Sequence, residues 1–223
     1  MMLHLLNADF ASAITPLLAY PLAALIGYLL GSLNWSIILS RAIYRSDIRR
    51  YGSGNAGMTN TLRTYGKSKA ALVFVLDALK TVVAVLLANR LVGPQYGAMV
   101  GGAAALLGHV YPLYYHFKGG KGVVCGITLI TLIDVRMAAA VLGTFLVVLA
   151  ARRIISLASI SGAVAFPLSA LIFHWGEWHY FVYALVVGGF VIWLHRENIK
   201  RLAKGAEAPI GLKKKQDGKG SSV

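Results

Sequence analysis

The sequence predicts an all-α, polytopic membrane bundle of seven transmembrane helices, with the N-terminus outside and the C-terminus inside. Three observations carry that expectation. Apolar residues make up 57% of the 223 positions and charged residues only 13%, more oil than a soluble domain of this length needs. Several apolar runs reach the roughly 20 residues that cross a ~30 Å hydrocarbon layer. The basic residues are dealt out between those runs, mostly on one side, as the positive-inside rule requires of cytoplasmic loops.

The first run, Leu17–Leu39, follows an N-terminus that lacks the basic n-region and small-residue cleavage site of a signal peptide, so a retained span is expected. Segment 41–69 is long and polar enough for a short amphipathic interfacial helix and a loop. The second run, Ala70–Leu91, contains Asp77 and Lys80. Buried intramembrane charges are expensive, and their spacing of three permits a mutual pair that locks the bundle. The third run is Tyr96–Tyr115.

Val123–Ala150 is too long for one span and is interrupted by Asp134-Val135-Arg136, which leaves six helices or seven. With a turn near Asp134, 19 of the 22 Lys and Arg fall on the inner side. Without it, Arg152, Arg153 and the basic C-terminal segment move outside, so seven is favoured. The stretch Gly122–Ile133 is then only about 18 Å long at 1.5 Å per residue. It is expected to be short or tilted and packed inside the bundle, with Gly122, Gly126 and Thr128 permitting close approach. Ile155–Phe173 and Tyr180–Leu194 complete the set. Residues 1–208 are expected to form a single domain, and 209–223, rich in Lys, Gly and Ser, a disordered basic cytoplasmic tail. Lys213-Lys214-Lys215 would be attracted to anionic lipid.

Several function classes are disfavoured. The basic residues do not form one continuous face with stacking aromatics, so nucleic acid is not an expected partner. The single cysteine, Cys125, lies in an apolar run and offers neither a disulfide framework nor a thiolate metal site. Six scattered histidines and few acidic residues suggest no metal, and no cofactor is expected.

The polar residues gather in three inner segments. Gly52-Ser-Gly-Asn-Ala-Gly-Met-Thr-Asn-Thr-Leu-Arg63 packs three glycines among short polar side chains. A helix starting near Thr59 would put Arg63, a bidentate phosphate donor, about one turn in. Phe117-Lys-Gly-Gly-Lys-Gly122 interleaves two lysines with three glycines, a candidate phosphate cradle or an ordinary basic loop. His195-Arg196-Glu197-Asn198 puts His195 and Asn198 on one helical face. Ser156 is a weaker candidate and His109 reads as a packed helix histidine. His4 and Asp9 match an acyltransferase spacing but lie at the outer N-terminus, and Gly66-Lys67-Ser68 lacks the strand and the earlier glycine of a P-loop.

Taken together and in order, residues 52–67 (GSGNAGMTNTLRTYGK), 108–123 (GHVYPLYYHFKGGKGV), 156–160 (SLASI) and 195–202 (HRENIKRL) resemble the bacterial acyl-phosphate-dependent glycerol-3-phosphate acyltransferases. The likeness covers most of residues 17–207. Met58 stands where alanine is common, and Thr81 where glycine is common, and neither removes a polar ligand. The resemblance implies a seven-helix fold in the bacterial inner membrane with a cytoplasmic active site. It implies acyl transfer from acyl phosphate to the 1-hydroxyl of glycerol 3-phosphate, giving lysophosphatidic acid and inorganic phosphate. Membrane lipids and functional coupling to the enzyme that makes acyl phosphate are further expectations.

Both substrates carry a phosphate, so the expected site is cationic, glycine-lined and open to lipid. Arg63, Lys121, His195 and Asn198 are expected to hold glycerol phosphate. Ser53, Thr59, Asn60 and the Gly119-Gly120 backbone would hold the acyl-phosphate end and the developing oxyanion, with Asn55 and Ser156 as further binding residues. Either His195 or a substrate phosphate accepts the proton. The rival reading is a transporter of an anionic phosphorylated metabolite, whose binding groups would be expected near the midplane on broken, repeated helices.

Overall fold

The computed structural model describes residues 16–210, which are all helix, turn and loop. The chain runs through α1 (Pro16–Gly31), α2 (Trp35–Tyr44), α3 (Met58–Tyr65), α4 (Lys67–Val92), α5 (Pro94–Val110), α6 (Val123–Ile133), α7 (Val135–Arg152), α8 (Ile155–Phe173), α9 (Trp178–Leu194) and α10 (Arg196–Ala203). Single 3-10 turns lie at Ile48–Arg50 and Leu113–Tyr115. His4, Asp9 and Lys213-Lys214-Lys215 lie outside the described residues.

The bundle divides into two trios. Helices α1, α4 and α5 pack on one another, and α7, α8 and α9 form the second group. Short α6 touches α4, α5 and α7 and bridges them. Small residues set the first trio. Gly27 and Gly31 on α1 face Gly101 and Ala105 on α5, and a Cβ on Gly27 would stand 2.7 Å from the Gly101 carbonyl oxygen. This is the small-xxx-small geometry of close helix pairs in lipid, where burial of apolar surface contributes little to helix association and backbone contact must replace it. The second trio is packed with larger side chains, among them Met137, Phe166 and Val187.

The expectation of seven crossing helices is not met. Among the described residues, four segments are long and apolar enough to cross a membrane: Leu17–Tyr44, Lys67–Val92, Val135–Arg152 and Ile155–Phe173. A fifth is reached if Trp178–Leu194 and Arg196–Ala203, bent by 59° at His195, count as one span. The physical reason is length. Pro94–Val110 and Trp178–Leu194 have 17 residues each, about 25 Å at 1.5 Å per residue, and Val123–Ile133 has only 11. Hydropathy located apolar runs, but a run read as one span can end early. The third run stops at Val110, where Pro112 follows and the chain turns.

The break between α6 and α7 does fall at Asp134. Its side chain accepts from the Arg136 backbone N–H at 2.7 Å, an N-cap that starts α7. Asp134 is also held by the Arg136 guanidinium and by His174 Nε2 at 2.8 Å. Hydrogen bonds from Arg136 hold its carboxyl well below the usual carboxylate range. Segment 41–69 contains the 3-10 turn and α3, as its polarity suggested.

Candidate active site

A cavity of about 580 Å³ lies between the two trios and opens among the polar loops. Its inner walls are apolar: Ile127 and Ile130 from α6, Val141 and Phe145 from α7, Phe166 from α8 and Val191 from α9. Its mouth is polar and cationic. The structure brings Ser53, Asn55, Thr59, Asn60, Arg63, Lys121, Ser156, His195 and Asn198 to this one space.

Lys121 is central. Its ammonium donates to the Asn198 side-chain oxygen. Burial, reinforced by the positive charge of Arg201, pulls its pKa down to about 8. Glu207 reaches this ammonium through Asn198 rather than directly, and a phosphate dianion would supply a direct counter-charge. Asn198, itself buried, passes the contact on by donating to Glu207 Oε1 at 2.7 Å. Ser156 Oγ donates to the same oxygen at 2.8 Å, and Arg201 Nε donates to Glu207 Oε2 at 2.6 Å. Burial alone would raise the Glu207 carboxyl, but the bonds from Arg201, Asn198 and Ser156 outweigh it and hold the group ionised.

His195 occupies the bend between α9 and α10. Its Nδ1 lies 2.8 Å from the Val191 carbonyl oxygen, which can only accept, so Nδ1 carries a proton. In the neutral ring Nε2 is then left with a free lone pair. Arg63 is exposed at the mouth and reaches the Ala208 carbonyl at 3.4 Å.

The glycine-rich loops behave differently from one another. In the first, Gly52 and Gly54 adopt left-handed φ of 59° and 72°, which turns the chain sharply. Asn60 organises that turn: its oxygen accepts from the Ser53 N–H at 2.9 Å, and its amide donates to the carbonyls of Ile48 and Tyr51. Asn60 is buried, and its amide is engaged with its own loop. In the second loop, Gly119 and Gly120 do not line the cavity. Their N–H groups donate back to Val110 and His109 carbonyls at 3.0 and 3.1 Å, closing the end of α5. Those amides are therefore taken, and the loop presents Lys121 to the cavity instead of a backbone cradle.

Two residues outside the sequence expectation shape the site. Arg49 donates from Nη1 to the carbonyls of Tyr115 and Lys118, both at 2.9 Å, and pairs with Asp47, so it ties the two polar loops together. Glu207 lies beyond the last helix, in a stretch whose Lys, Gly and Ala composition resembles a tail. Residues 209–210 continue across the site, with the Ile210 N–H donating to the Arg153 carbonyl at 2.7 Å.

A cationic mouth joined to an apolar cavity inside a membrane bundle defines an integral membrane protein able to hold a phosphate-bearing lipid. The comparisons place it more narrowly. Residues 21–205 match the family pattern described as glycerol-3-phosphate acyltransferase. A glycerol-3-phosphate acyltransferase of Thermoanaerobacter pseudethanolicus is 41% identical over 192 residues, 86% of this chain and 96% of that one. One of Maricaulis maris is 41% identical over 202 residues, 91% and 92% of the two chains. A crystal structure of PlsY, an integral membrane glycerol 3-phosphate acyltransferase in its glycerol 3-phosphate form, superposes with a TM-score of 0.79 at 33% identity, covering 86% of this chain and 96% of that one. The chain belongs to the glycerol-3-phosphate acyltransferase family and is a multi-pass protein of the bacterial inner membrane.

Proposed function

We propose that this protein transfers a fatty acyl group from acyl phosphate to the 1-hydroxyl of sn-glycerol 3-phosphate, releasing lysophosphatidic acid and inorganic phosphate. The observation that carries the reading is the continuity of one cavity, cationic at Lys121 and apolar along α6 to α9. The apolar part of that space suits an acyl chain and its cationic mouth suits phosphate groups.

Acyl phosphate is a mixed anhydride with a good leaving group, so positioning and charge stabilisation matter more than leaving-group protonation. Lys121, Arg63, His195 and Asn198 hold glycerol phosphate with its 1-hydroxyl toward the acyl carbonyl. Ser53 and Thr59 face the acyl-phosphate end. The hydroxyl oxygen bonds to the carbonyl carbon, the bond from that carbon to the phosphate oxygen breaks, and phosphate leaves with the electron pair. The hydroxyl proton goes to the departing phosphate or to the free Nε2 of His195. Asn60 supports this arrangement through the Ser53 backbone, and Asn55 and Ser156 complete the rim. Purified protein given glycerol 3-phosphate and palmitoyl phosphate is expected to yield phosphate and lysophosphatidic acid in equal amounts by mass spectrometry, and none with palmitoyl-CoA. Absence of product with the acyl phosphate would sink the proposal.

The Lys121 pKa gives a pH dependence with a definite sign. The ammonium binds phosphate and the neutral amine does not, so affinity is full below about 8 and is lost as pH rises through it. KM for a phosphate substrate should therefore climb by up to about tenfold per pH unit on the alkaline side. Lys121→Arg, whose guanidinium stays charged, should flatten that limb while lowering turnover through altered geometry. An unchanged alkaline limb in the arginine variant would assign it to another group.

A further inference from the structure

Beneath the polar mouth lies a buried cluster that the transfer step does not use. Asp77 and Lys80 on α4 pair at 2.8 Å, with side chains 1% and 3% exposed. Lys80 Nζ also donates to the carbonyls of Gly31 and Leu33, at 3.0 and 2.9 Å, where α1 ends and the chain breaks toward α2. A cation there complements the negative end of α1. His109 Nδ1 lies 3.0 Å from the same ammonium and 3.5 Å from Asp77 Oδ1.

The other side of His109 meets the polar loops. Its carbonyl accepts the Gly120 N–H, and its ring packs against the Gly120 α-carbon so closely that a Cβ there would collide with Nε2. The same added Cβ would stand 2.5 Å from the Ala56 carbonyl oxygen, in the first glycine-rich loop. That carbonyl accepts from the Asn34 amide at 3.1 Å, just past the break that Lys80 holds. His109, Gly120 and Ala56 thus meet at one point, and Lys121 is the next residue along.

We propose that His109, fixed by the Asp77–Lys80 pair, is a positioning residue for acyl transfer: its outer ring edge sets the height of the Gly119-Gly120 turn and through it the place of Lys121 against the first glycine-rich loop. A buried ion pair is weak evidence for stability alone, since apolar replacements of similar volume often do as well. An imidazole held by α4 on one edge and set under Gly120 on the other, with Gly120 in turn against Ala56, is better accounted for by placement of the substrate-binding ammonium. The inference rests on the acyl-transfer reading above.

The test separates the two edges of the ring. His109→Asn keeps a polar atom near the Nδ1 position, facing Lys80 and Asp77, and deletes the edge under Gly120. His109→Gln puts an amide near the Nε2 position. His109→Asn should raise KM for at least one phosphate substrate about tenfold, with kcat within about threefold, and His109→Gln should recover much of that loss. Melting temperature in detergent should change little in either. Asp77→Leu combined with Lys80→Met, which leaves the ring without its holder, should reproduce the KM rise. Wild-type KM in His109→Asn, no recovery with glutamine, or wild-type KM in a folded double variant would each overturn the proposal. Loss of turnover in the wild-type protein itself would remove the reaction and this inference with it.

Discussion

Replacing Lys121 with methionine should lower kcat/KM by about 100- to 1,000-fold while leaving the fold intact. The ammonium is a partly buried cation at the junction of the polar mouth and the apolar cavity, donating to Asn198 and pushed toward neutrality by desolvation and Arg201. A charge held in such surroundings stabilises little in the free protein but much when a phosphate dianion arrives. Methionine has a similar length and removes the desolvation cost along with the charge, so stability should shift by less than about 1 kcal/mol. Steady-state kinetics with both substrates, beside thermal melts, check this. A methionine variant that keeps a third of wild-type kcat/KM would show that the cation does not bind the reacting phosphate.

Loss of the Glu207 carboxylate should be the most damaging single change for activity and stability together. In Glu207→Ala, Ser156, Asn198 and Arg201 all lose the acceptor that holds them. The carboxylate is only 6% exposed, whereas its Arg201 partner is 44% exposed, so solvent can rescue the arginine but not the buried amide and hydroxyl. We expect a loss of about 3 kcal/mol, a fall of roughly 6–12 °C in melting temperature, and at least a 100-fold drop in kcat/KM. Glu207→Gln keeps an oxygen for Ser156 and Asn198 and should fall between. If Glu207→Ala melts early yet turns over at the wild-type rate, Asn198 is not held in place by this carboxylate.

Much of the site was legible because its chemistry is concentrated in short segments. The dense mixture of glycine and short polar residues at 52–63, the lysines at 118 and 121 and the His195–Asn198 spacing all pointed to one face, and nine of the eleven named positions line one cavity. Gly119 and Gly120 do not, because a glycine-rich loop is equally suited to binding an anion and to capping a helix, and here the amides close α5. Glu207 escaped notice because acidic residues in a polar stretch carry no local signal of burial. Its importance comes from Ser156, 51 positions away.

The sequence by itself determined that the protein is helical and membrane-embedded, because apolar composition and run length answer directly to the hydrocarbon layer. It also located the polar residues that gather at the cavity, because glycine-rich and basic segments stand out against the apolar runs. The tertiary structure alone decided how many helices are long enough to cross, because a run's true end depends on where Pro112, Asp134 and His195 turn the chain. It alone decided that Lys121, Asn198 and Glu207 form one connected line and that the His109 ring meets Gly120, the residue before Lys121. Those contacts join residues far apart in the chain, and the energy of a desolvated charge depends on every neighbour that packing brings to it.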